Sequence, residues 1–176
     1  NNFQNNHWRG DSSYYFSKYN HCWGWATWRR AWQFYNGDLD FWPKWSKSED
    51  WLKKIPDKVE RNYWEDVFNK VYEKKINSWA YPWTGSIWYH GGLTITPNVN
   101  LVTNIGFGNN ALHTILKNDR FSNLPTNNLE IIKHPKTIER NIDADNLVFN
   151  HHYEGKNLRF PRNLIMFILR VVKFIF

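Results

Sequence analysis

DKVERNYWEDVFNKVYEKK, residues 57–75, narrows the possible folds more than any other stretch. Val59, Tyr63, Trp64, Val67, Phe68, Val71 and Tyr72 recur at spacings of three and four, and Glu and Lys fill the other side. A stripe at that period belongs to one face of an α-helix and has to be covered by other elements. The chain must therefore supply apolar partners for a long helix. Its tryptophans are the obvious source, since HCWGWATWRRAW, residues 21–32, holds four of them in twelve positions. Such a cluster can be core, a stacking surface for a ring-shaped ligand, or a nucleic-acid platform.

The remaining elements are shorter. YYFSKY, 14–19, reads as a strand from its aromatic content. ATWRRAWQFY, 26–35, reads as a helix that aligns Trp25, Trp28 and Trp32 on one face, stopped by Asn36-Gly37-Asp38. FWPKW, 41–45, reads as a bend at Pro43, and Ser48-Glu49-Asp50-Trp51 as a short helix ended by Pro56. Residues 77–92 predict a loop and then a helix with Pro82 in its first turn, stopped by Gly91 and Gly92. LTITP, 93–97, predicts a strand, 100–108 a second extended piece, and 121–135 a loop with a short strand. Residues 136–156 show no period. The mixture points to α+β or α/β with few strands.

A chain of 176 residues suits one domain, and its 19% aromatic and 22% charged content argues against disorder. The first residue is Asn1, not Met, so the chain reads as a piece of a longer protein. Cys22 is the only cysteine, which excludes an intramolecular disulfide and a cysteine zinc site. The net charge is +7, but no acid follows Glu154, while Lys156, Arg159, Arg162, Arg170 and Lys173 do. A basic tail on a nearly balanced body argues against a nucleic-acid partner, which favours a basic stripe through the body.

Several residues bear chemistry. His113 follows the glycine turn IGFGNNAL, which can present it at a site. His151 and His152 are adjacent and, on an extended segment, face opposite ways, so they do not share a metal. Asn98, Asn100, Asn104, Asn109 and Asn110 crowd one strand and turn; amides suit sugar hydroxyls and suit turns equally. Trp23, Trp25, Trp28, Trp79, Trp83 and Trp88 divide between core packing and an aromatic cleft for a sugar or nucleobase.

Two long motifs, YYFSKYNHCWGWATWRRAW (14–32) and SWAYPWTGSIWYHGGLTITPNVNLVTNIGFGNNALHT (78–114), together resemble a family of bacterial, often cyanobacterial, GT-A-type glycosyltransferases. These are the family-2-like, "hemolytic protein HlpA-like" enzymes. A more distant likeness is to the N-acetylglucosaminyltransferase I family. The resemblance runs from about residue 3 to 152. It implies an α/β, Rossmann-like nucleotide-diphospho-sugar transferase fold, a mixed sheet with flanking helices, of which 1–157 is the C-terminal, acceptor-side half. The implied activity is transfer of a sugar from a nucleoside-diphosphate sugar to a glycan or lipid-linked acceptor in polysaccharide biosynthesis. The nucleotide-binding half would lie outside this chain, leaving it inactive alone.

The resemblance also implies roles for single residues. Trp79 and Trp83 match two substrate-site tryptophans, and His113 a histidine beside the diphosphate and a Mg²⁺ or Mn²⁺ ion. Trp23 and Trp25 would line the acceptor sugar, Arg29 or Arg30 would meet the diphosphate, and Trp28 and Trp32 would lock their helix into the core. Ala80 stands where the family has the carboxylate that takes the acceptor proton, so no catalytic residue is assigned. That change keeps open a second implication, a degenerate carbohydrate-recognition or scaffold domain. The expected location is cytoplasmic, peripheral on the inner face of the plasma membrane.

LRFPRNLIMFILRVVKFIF, 158–176, reads as a separate basic amphipathic helix. A helix of about 14 residues is roughly 21 Å long, short for a membrane span of about 20 apolar residues. Its charge suits an anionic membrane surface, or its apolar face packs on the domain.

Overall fold

The computed structural model describes residues 2–4, 7–106 and 122–167. The elements in chain order are β1 (Tyr14–Ser17), α1 (Arg29–Trp32), α2 (Trp42–Trp45), α3 (Glu49–Lys54), α4 (Lys58–Tyr72), α5 (Ala80–Tyr89), β2 (Thr94–Pro97) and α6 (Ile142–His151). A 3-10 turn follows at Gly155–Asn157, and residues 162–167 are helical. The chain divides into two compact units, Asn1–Trp28 with Leu93–Ala144, and Arg29–Gly92 with Asp145–Phe176.

The second unit is helical and is built on the stripe of α4. Asp57 caps the helix, its carboxylate accepting the Glu60 N–H at 2.9 Å. Trp64, Val67, Phe68 and Val71 are buried, while Tyr72 at the end of the stripe is exposed. Trp88 of α5 meets Trp64 at 4.8 Å and Phe68 at 5.9 Å between ring centroids. Trp42 and Trp51 close the other side, 5.0 Å apart and edge to face. Their indole N–H groups donate to Asn69 and Glu65 of α4 at 2.8 and 2.7 Å, so neither buried donor lacks a partner. α5 is buried along Pro82–Trp88. At Gly85 an added Cβ would sit 3.0 Å from Leu39 and 3.4 Å from Phe68, a separation that lets the helix lie close on both.

In the first unit β1 and β2 pair antiparallel, Tyr14 opposite Pro97 and Ser17 opposite Thr94. The buried Asn98 staples the preceding loop to the end of β2. Its side chain accepts the Arg9 N–H at 2.8 Å and donates to the carbonyls of Arg9 and Ser12 at 2.9 and 2.7 Å. Gln4, also buried, donates to the Ala144 carbonyl at 3.1 Å.

This architecture overturns the expected α/β fold. The described residues are predominantly helical, with one two-stranded antiparallel sheet and no Rossmann-like core. A nucleotide crevice of that kind forms at the carboxyl ends of parallel strands, and the one parallel pairing described is an isolated bridge between Phe16 and Arg140. The expected extra strands fail for a local reason. Asn100 donates to the Pro125 carbonyl, and Asn104 accepts the Gly106 N–H at 2.8 Å. Side-chain bonds of this type hold backbone in turns rather than ladders. No strand forms at 101–106 or 122–135.

Three local readings also change. The helix expected over 26–35 is only α1, and its last bonds tighten to the Phe34–Ala31 and Tyr35–Trp32 pattern. The Asn36 side chain then accepts the N–H groups of Asp38 and Asp40, and the helix stops. The bend at Pro43 is instead α2, because proline is tolerated in a first turn, where its missing N–H has no helical partner. α6 lies in the stretch without a clear period, and Asn141 accepts the Ala144 N–H at its start.

Candidate functional site

Segment 32–41 lies along α5. Trp32 stacks on Tyr35 almost in parallel, at 4.7 Å and 5°, and meets Trp83 at 5.0 Å. The Asn36 N–H donates to the Ser86 hydroxyl at 3.0 Å. Phe34 stacks on His90 at 4.3 Å and Phe41 on Tyr89 at 4.2 Å. Trp83 is buried beneath this layer, but Trp32 keeps 41% of its surface and Phe34 48%. Trp79 stands one turn before Trp83, whose N–H donates to the Trp79 carbonyl at 3.1 Å, and it keeps 44%. Trp32 and Tyr35 over Trp83 form a shelf with a buried base and an open top, and residues four apart share a helix face, so Trp79 stands on the Trp83 side of α5. Burial, and then the nearby Asp38, push the Tyr35 hydroxyl above its usual range, keeping it neutral in ordinary buffers.

Of the residues expected at a site, Trp79, Trp83 and Arg29 belong to this helical unit, with Arg29 exposed on α1 three positions before Trp32. Trp23 and Trp25 belong to the other unit and are half-buried; Trp23 packs against Phe3 at 5.8 Å. Between them Gly24 has a positive φ of 59°, and Val102 lies where a side chain would be. Trp28 and Trp32 do not lock a helix into the core. Both are exposed, because α1 is too short to bring them onto a common buried face. Sequence reasoning missed Tyr35 and Phe34; the tight aromatic spacing of 32–35 was the available signal.

Ala80 opens α5, and its carbonyl accepts the Thr84 hydroxyl at 3.0 Å. Its methyl group offers no acid–base chemistry. His113, Asn109 and Asn110 lie outside the described residues. Among the described residues no group of three or more His, Cys, Asp or Glu is placed to hold a metal ion. His151 ends α6 and His152 follows it, on a helix end rather than an extended strand. The side chains of Asn98, Asn100 and Asn104 each bond to the chain itself, as turn residues do.

No protein-family model, curated protein or solved structure matches the chain. The glycosyltransferase resemblance therefore has no support from relatives, and the fold conflicts with it. The expected transferase activity falls with it, as does the enzyme assignment made for a longer protein. The helical architecture supplies neither the Rossmann-like core nor, among the described residues, a metal cluster for sugar transfer.

Proposed function

We propose that this chain works as a binding domain, and that the aromatic shelf of its helical unit receives a sugar ring, free or in a nucleotide sugar. The Trp32–Tyr35 stack over the buried Trp83 carries the reading. A sugar ring has an apolar C–H face and a polar rim. The face packs on half-open indoles whose undersides are already held, so little side-chain entropy is lost on binding. Arg29 and Gln33, exposed on either side of Trp32 in sequence, bring a charge and an amide to the rim.

Calorimetric titration of the chain with monosaccharides, oligosaccharides and nucleotide sugars tests this, with a single-stranded oligonucleotide as control. Parallel runs with Mn²⁺ show whether a cation accompanies the ligand, the part expected of His113. Trp32→Ala and Trp79→Ala should each weaken sugar binding about tenfold, the equivalent of about 1.4 kcal/mol. Their melting temperatures should fall by less than about 5 °C. The reading fails if no sugar binds, if both variants bind like the parent, or if the oligonucleotide binds more tightly.

A further inference from the structure

The C-terminal segment leaves the helical unit from a fixed point. The Arg159 guanidinium pairs with the Asp57 carboxylate at 2.9 Å, donates to Asn150 at 3.3 Å and lies 5.9 Å from the centre of the Phe149 ring. Arg159, one of the basic residues of the tail, is therefore a clamp on the N-terminus of α4. The free segment begins at Phe160, which is 79% exposed.

The helix at 162–167 then carries Leu164, Ile165, Met166 and Phe167 in succession, all exposed, Phe167 by 64%. Successive residues on a helix turn by about 100°, so four in a row cover every side of it. A groove on a protein covers one side only. The turn 164–167 is apolar on every side, with Arg162 and Asn163 just before it, and such a turn favours an apolar medium with a polar border. In sequence the apolar run extends over 164–169, bracketed by Arg162 and Arg170, and no acid follows Glu154. A second copy would bring the same positive charge to the contact, and the two would repel.

We propose that the segment 160–167 is a contact for an anionic lipid surface, with 164–167 entering the acyl boundary and Arg162 meeting headgroup phosphates; in sequence, Arg170 and Lys173 add to the same positive charge. The described helical residues 162–167 span about 9 Å, far short of a membrane span. Among the described residues no helix is long and apolar enough to cross a membrane. A short apolar insertion holds weakly alone and needs the basic charges as a second signal. This inference rests on different residues from the sugar shelf and stands or falls separately.

The experiment is co-sedimentation of the full chain with vesicles of phosphatidylcholine alone or with added phosphatidylserine. The parent should pellet with the phosphatidylserine vesicles, and less so in 0.5 M salt. Ile165→Glu/Phe167→Glu keeps the Arg159 clamp, should melt like the parent, and should lower the partition at least about tenfold. Arg162→Glu should lower it only on phosphatidylserine vesicles. Failure of the parent to pellet, equal pelleting with both vesicle types, or unchanged pelleting of the double variant would each overturn the proposal. So would a parent that light scattering shows to dimerise through this segment without binding vesicles.

Discussion

Trp51 and Trp28 are the same side chain in opposite situations. Trp51 is fully buried, and its N–H bonds the Glu65 carboxylate; Trp28 is 54% exposed. We expect Trp51→Ala to cost about 3–5 kcal/mol in urea unfolding, through the cavity it leaves. Trp51→Phe keeps most of the volume and removes only the bond to Glu65, which still faces Arg61 at 4.0 Å and solvent, so it should cost about 1–2 kcal/mol. Trp28→Ala should cost about 1 kcal/mol or less; a loss above 3 kcal/mol would mean that Trp28 is a core residue after all. Nothing in the residue type separates these cases. The cluster at 21–32 draws attention by its density, yet the tryptophans with least exposure are Trp42, Trp51, Trp64 and Trp88, which are scattered along the chain. Burial depends on which rings meet, and some of those partners, Trp64 with Trp88 and Trp42 with Phe68, lie more than twenty residues apart.

Elements begin and end where short-range chemistry says they should. Ser48 accepts the Trp51 N–H at 3.2 Å and opens α3. Asp57 opens α4 and also holds Arg159. Burial alone would raise the Asp57 carboxyl. The Glu60 N–H and the Arg159 guanidinium outweigh it and leave the carboxyl below its ordinary range. Since the folded value is lowered, its stabilisation is complete above the unfolded value of about 3.9 and fades as pH falls through the folded one. Asp57→Asn still caps the helix but cannot carry the charge. It should cost about 1 kcal/mol or less at pH 7, given the part-exposed pair. It should also flatten the acid limb of a stability profile below about pH 4; a profile that matches the parent there would assign the acid sensitivity elsewhere. On the alkaline side, burial, with Tyr81 and Asp66 adding to it, pushes Tyr63 up to about 12. Its contribution is full below about pH 10 and is lost as pH rises through the folded value, so Tyr63→Phe should flatten that limb.

At the scale of the whole molecule, the two units differ in how they are held. The helical one rests on a ring-packed core beneath α4 and α5, whereas residues 122–135 carry no regular element, and Ile131 is 83% exposed. Amide hydrogen exchange should therefore be slowest in the middle of α4 and α5 and fast across 122–135. Equal protection in both regions would contradict this division of stability. The sequence by itself determined α4, the start of a short helix at Ser48, the stops at Pro56 and Gly91, and the positions of β1 and β2. Those features follow from side chains within a few residues of one another, where periodicity, capping bonds and proline act directly. Tertiary structure alone decided which tryptophans are core and that Asn98 clamps residues 9–13. It alone decided that β1 finds β2 rather than a place in a parallel sheet, and that Trp32 lies open above Trp83. Each of these depends on groups brought together from distant parts of the chain, and burial and hydrogen-bond satisfaction are properties of that meeting, not of either partner's local sequence.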